Sequence, residues 1–168
     1  MLTTDVLKSW CKEQADRSKM RGQKKTLVPI YTKKLMVSIK TAAFAQSLED
    51  AWVWYLEPAN GLQKESILHA AAELTLSICE VRNQSRLTYD DSILLIRRGY
   101  GKEITKLRKN VKPLERILYD MQREESPNVA LGSMIAILES LGFTLNDLDR
   151  QITGKGRADH AYTKAVAN

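Results

Sequence analysis

Gln63-Lys-Glu-Ser-Ile-Leu-His-Ala-Ala-Ala-Glu-Leu-Thr-Leu-Ser-Ile-Cys-Glu-Val-Arg82 places Ile67, Ala70, Ala71, Leu74, Ile78 and Val81 at steps of three and four residues. That period keeps all six on one side of a helix over about four turns. The alternation a strand would need is confined to Glu73–Ile78 and is not flanked by hairpin turns, whereas the helical period runs the whole length of the segment. It is read as the longest and central helix. On both sides the same period recurs, and no alternating stretch flanked by hairpin turns is found. The expected fold is therefore all-α. With 168 residues, 43% of them hydrophobic, one sizeable core can be buried. A single-domain bundle of about seven to eight helices is expected over residues 1–153, with a mobile tail at 154–168, where apolar periodicity stops.

Upstream, Thr4 can cap a first helix that puts Val6, Leu7, Trp10 and Cys11 on one side before fraying into the polar stretch Asp16 to Lys25. After the boundary at Pro29, Leu35, Met36, Ile39, Ala42 and Ala43 form a core stripe ending near Ala45, with Lys33, Lys34 and Lys40 left for solvent. Ser47-Leu-Glu-Asp50 is a capping-box variant that opens another helix through Ala51-Trp-Val-Trp-Tyr-Leu56, ended by Pro58, Asn60 and Gly61. Trp10, Trp52, Trp54 and Tyr55 read as core aromatics.

Downstream, Thr88-Tyr-Asp-Asp91 repeats the capping pattern before Ile93-Leu-Leu-Ile96, and the glycines in Arg97-Arg-Gly-Tyr-Gly-Lys102 mark a bend or break. A short helix over Lys102 to Lys109 follows. Pro113 starts another that buries Leu114, Ile117, Leu118 and Met121. Ser126-Pro127 opens a core helix with Val129, Met134, Ile135, Leu138 and Leu141, closed by Gly142 at C′ with Phe143 packing back. Thr144 caps the last helix, which runs through Ile152.

Charge is segregated by sign. The chain carries a net +6, yet residues 1–46 hold +7 and residues 97–116 hold +6, while 47–96 sum to −5 and 117–168 to −2. Such blocks suggest a polyanion-binding surface, because neutralised phosphates release counterions. Lys102, Lys106 and Lys109 fall at i, i+4 and i+7, a stripe of like charges that a phosphate backbone would relieve. Arg97, Arg98, Arg108, Lys112 and Arg116 enlarge the region, and Tyr100 between its glycines could stack on a base or plug the core. In the first block Lys19, Arg21, Lys24 and Lys25 read as a basic loop or arm, extended by Lys33 and Lys34. The expected partner is a DNA or RNA backbone, with other protein subunits or a second copy as further partners; the alternative is an adaptor that binds an acidic protein.

Glu125-Ser-Pro-Asn-Val-Ala-Leu-Gly-Ser-Met-Ile-Ala-Ile-Leu-Glu-Ser-Leu-Gly142 resembles the loop and following helix of the lambda-repressor-like helix-turn-helix DNA-binding family, and the likeness in order of parts covers residues 102–148. In that family the preceding helix enters the major groove, which here implies Lys112, Glu115, Arg116 and Tyr119 facing DNA. The turn departs from the pattern: Leu107-Arg-Lys-Asn-Val111 replaces the small residue and Gly, and Pro113 sits where the recognition helix starts. In size, charge and helicity alone the chain is also similar to the small helical subunits of CRISPR effectors.

No catalytic motif is expected to operate. The paired Glu-x-x-Glu and Glu-x-x-Asp helices of MazG-type pyrophosphohydrolases are missing, since Glu73 and Glu80 stand seven residues apart without a carboxylate three residues from either. His69 and His160 lack ligand-spaced neighbours, and His69 reads as a packed residue. No P-loop or Gly-x-Ser-x-Gly is present. Cys11 and Cys79 read as free apolar thiols, so neither metal nor cofactor is implied. The opening residues have no leader pattern, and a soluble cytoplasmic protein without membrane contact is expected.

Overall fold

The central segment forms α3 (Gly61–Asn83), and four of the other six helices pack on it, while the remaining two pack chiefly on other helices. A computed structural model of the chain describes residues 2–20, 30–52, 61–109 and 113–154. These contain seven helices and no strand: α1 (Thr4–Met20), α2 (Ile30–Trp52), α3, α4 (Tyr89–Lys109), α5 (Pro113–Arg123), α6 (Pro127–Ser140) and α7 (Leu145–Thr153). The all-α expectation holds. The expected tail and the readings of Trp54 and Tyr55 lie outside the described residues.

Helix α3 buries Ile67, Ala71, Leu74, Ile78 and Val81, the stripe its spacing dictates, and packs against α1, α2, α6 and α7. Trp10 and Asp149 are both completely buried, and the indole Nε1 donates to the Asp149 carboxylate at 2.7 Å, tying α1 to α7. Arg17 donates to Ile152 O at 2.7 Å, placing a cation at the carbonyl end of α7. Cys11 and Cys79 are free, buried and interact with each other across the α1–α3 seam. That interaction and burial hold the Cys79 thiol well above its ordinary range.

Helix α6 is apolar all round, and every residue from Asn128 to Leu138 is buried. Ser126 caps it and Pro127 stands in its first turn. At its other end Gly142 is left-handed (φ 92°), Gly142 N–H reaches Glu139 O and Phe143 N–H reaches Leu138 O, a Schellman closure. Thr144 and Asp147 form a reciprocal capping box on α7.

Four local expectations are corrected. Thr3, one residue before the expected Thr4, accepts from Val6 N–H at the start of α1, and α1 continues to Met20 through the Glu13–Arg17 pair instead of fraying at Asp16. Helix α2 passes through Ser47 unbroken; the Ser47 hydroxyl donates back to Phe44 O, and Asp50 accepts from Gln46 one turn earlier. Its core face is Val37, Thr41, Phe44, Ala45 and Leu48, whereas Leu35, Met36 and Ile39 are 57%, 41% and 51% exposed. Two apolar stripes compete on this helix, and the one that packs on α3 is flanked by a charge ladder. Lys33 and Lys40 meet Glu80 and Glu73, each at 3.6 Å, so equal seven-residue spacings on antiparallel helices lock the register.

The fourth concerns α4, which runs unbroken through Gly99 and Gly101. Gly99 is buried against α6, where a Cβ would lie 2.1 Å from Val129 O, and Gly132 of α6 faces Ile96 O with room for no Cβ, at 1.9 Å. The two glycines let the backbones of α4 and α6 touch. A turn signal in the sequence is thus a packing device in the fold.

Candidate nucleic-acid interface

The face of α4 that meets the core consists of Ser92, Ile93, Ile96, Gly99 and Glu103, all buried. Helical periodicity sends Arg97, Arg98, Lys102 and Lys106 elsewhere on the cylinder, and each is exposed. Thr105 and Gly101 are exposed among them, and nothing lies within 4 Å of where a Gly101 Cβ would stand. The stripe therefore has a smooth floor at Gly101, where a ligand backbone can come close. Arg108 and Lys109 occupy the last turn of α4, with side chains outside the described ones, as is the whole of Lys112.

Three residues later α5 begins and packs against α4. Leu118 and Met121 face inward, while Arg116, Tyr119 and Arg123 are exposed at spacings of three and four, on one face. The Tyr119 ring is 56% exposed and the Arg123 guanidinium stands over it, 5.1 Å from the centroid, also donating to its hydroxyl. Arg123 escaped the sequence reading because it lies outside the basic block, in a stretch of net negative charge. The signal that finds it is the four-residue step from Tyr119.

Tyr100 belongs to a different environment. Its ring is half-buried against the core and its hydroxyl donates to Glu139 of α6, the packing position rather than an open stacking platform. Glu103 is buried beneath the stripe at 2% exposure, and its Oε2 has no hydrogen-bond partner among the described residues. Burial raises its carboxyl above the ordinary glutamate range; Lys106 and Lys102 oppose the rise, while Asp120 and Glu124 of α5 add to it.

The first basic block is dispersed. Lys33 is only 11% exposed at its side chain and is held by Glu80; Lys40 is held by Glu73. Lys33 and Lys40 are therefore not the solvent-side residues the sequence suggests. Lys19 and Lys34 are exposed, and Arg21, Lys24 and Lys25 lie outside the described residues. Ion pairs among the described residues lie within α1 and between α2 and α3, and none engages the cations of α4 or α5.

His69 is exposed on α3, not packed as its apolar neighbours suggest, and no group of three His, Cys, Asp or Glu residues able to hold a metal occurs among the described residues. Among those residues, no single helix is long and apolar enough to cross a membrane. No known family model, curated protein or solved structure matches this chain.

Proposed function

We propose that this chain is a nucleic-acid-binding protein whose contact surface is the outward side of α4, continued by α5. The observation that carries the reading is the exposed set Arg97, Arg98, Lys102 and Lys106 on one unbroken helix, with no ion pair to any of them among the described residues, while Lys33 and Lys40 of the first block are held by Glu80 and Glu73 of α3. Like charges one turn apart repel, and phosphates relieve that repulsion with counterion release. In this reading α4 follows the backbone, and the Arg116–Tyr119–Arg123 face of α5 meets bases, by groove contacts in a duplex or stacking on a single strand. The exposed face of α5 supports the helix-turn-helix resemblance, in which α5 is the helix that enters the groove. The protein acts by binding and no reaction is assigned to it.

Fluorescence anisotropy with duplex DNA, single-stranded DNA and RNA at two salt concentrations tests this. Binding at low salt is expected with at least one of them, and Arg98→Glu combined with Lys102→Glu and Lys106→Glu should weaken it by at least about tenfold. The paired variant Lys19→Glu and Lys34→Glu should matter much less. Absence of binding to all three at low salt overturns the proposal and favours an acidic protein partner for the same face.

A further inference from the structure

Three of the exposed large apolar side chains in this protein, Leu35, Met36 and Ile39, share one helix, and exposed Ala42 and Ala43 continue the stripe by one more turn. This is a linear apolar seam. Isolated exposed leucines need no explanation, but five apolar residues repeating at helical spacing on the solvent side of a helix that already has a complete core face do.

The charges at its ends are opposite. Lys34 is exposed at the N-terminal end, whereas Glu49 and Asp50 are exposed at the C-terminal end. A helix with this pattern complements itself when a second copy runs antiparallel. A two-fold axis near position 41 or 42 sets Lys34 of each copy against Glu49 of the other and Ile39 against the small Ala42 and Ala43. Leu35 and Met36 then reach the groove that Ala43, Ser47 and Ala51 line together with the hydrogen-bonded Gln46 and Asp50 of α2 and Gln63 and Ser66 of α3. Large side chains thus meet small ones at both ends, the interdigitation that helix pairs require. In a parallel arrangement Lys34 would face Lys34, and the acidic ends would face each other.

From this geometry we infer that α2 is a homodimer interface, an isologous antiparallel α2–α2 contact centred on Ile39, Ala42 and Ala43. The proposal rests on a face and charges separate from those of α4, so it stands or falls independently of nucleic-acid binding. A single helix pair buries less than the roughly 800 Å² per partner of a standard interface, so the dimer is expected to dissociate on dilution.

Sedimentation velocity of the full chain over a range of concentrations tests it. The parent protein should show a concentration-dependent rise to dimer mass. Ile39→Glu, at an exposed position, should leave the thermal midpoint unchanged at concentrations where the parent is monomeric and weaken dimerisation by roughly tenfold or more. Lys34→Glu alone and Glu49→Lys alone should each weaken it, and the double variant should restore it, because only an antiparallel pair brings these two positions together. A parent that stays monomeric up to its solubility limit, a dimer indifferent to Ile39→Glu, or a double variant no better than the singles overturns the inference.

Discussion

Gly99, Gly101 and Gly132 have one residue type and two different physical roles. Gly99 and Gly132 sit where α4 and α6 share backbone contact, so a methyl at either must displace main-chain atoms. Gly99→Ala or Gly132→Ala should therefore cost roughly 3 kcal/mol or more, at the upper end of overpacking penalties. Gly101 meets nothing, and its helical φ suits alanine, so Gly101→Ala should gain about 0.5–1 kcal/mol. Urea denaturation of the three variants checks the opposite signs; equal effects would refute the close α4–α6 contact. If α4 is the contact surface proposed above, the same alanine at 101 should also cost affinity for nucleic acid. Glu103 offers a second test. Its carboxyl is raised in the fold by burial, with Lys102 and Lys106 pulling down and Asp120 and Glu124 pushing up. A raised acid favours the fold when protonated, so its contribution is complete below the ordinary value of 4.5 and is lost as pH climbs through the raised one. Glu103→Gln, neutral throughout, should be more stable than the parent at pH 7 and nearly equal to it below that ordinary value. Denaturant midpoints across that range decide; a variant less stable than the parent at neutral pH would mean the carboxylate is stabilising there.

Helices whose ends and faces are set by local chemistry were readable directly from the chain. Helix α6 has a Ser-Pro start, an apolar body and a Gly142 stop, and α7 has the Thr144–Asp147 box; each signal acts within a few residues of itself. The stripe of α3 was readable for a related reason, since its 3-4 spacing holds over four turns, although Ala72, Leu76 and Cys79 form a second buried row that the spacing did not single out. Helix α2 was not, because it presents two apolar stripes and the choice depends on α3. Val37, Thr41, Phe44 and Leu48 are buried in a packing flanked by the pairs Lys33–Glu80 and Lys40–Glu73, a fact about two helices that neither states alone. Its equal spacings were nevertheless visible. Helix α4 misled for the converse reason: glycine most often punctuates, and only the α6 backbone lying against Gly99 shows that here it permits approach. The basic block itself was legible as composition, but the smooth continuous stripe on α4 and the Tyr119–Arg123 pair on α5 required the unbroken helix and the exposure of the ring.

Across the whole molecule, the net +6 divides into charge that is spent internally and charge that faces outward. Lysines 33 and 40 are neutralised by the acidic side of α3, which accounts for part of the negative stretch between the two basic blocks. The blocks also do not merge. Helices α1 and α4 meet at their N-terminal ends, through Thr4 with Asp90 and Lys8 over the Tyr89 ring, while Lys19 stands about 22 Å further along α1. A long-range field from all cations would make every lysine contribute to association with a polyanion, whereas a docking face counts only those in contact. The salt dependence separates these cases. Each phosphate neutralised adds about 0.9 to the slope of log binding constant against log salt on duplex DNA. Reversing Arg98, Lys102 and Lys106 should therefore flatten that slope by about 3, and reversing Lys19 and Lys34 should leave it almost unchanged. Titrations at four or more salt concentrations with the parent and both variants measure it. If both variants flatten the slope in proportion to the charges removed, attraction is diffuse and α4 is no special surface; if only the α4 variant does so, the phosphates lie on that helix.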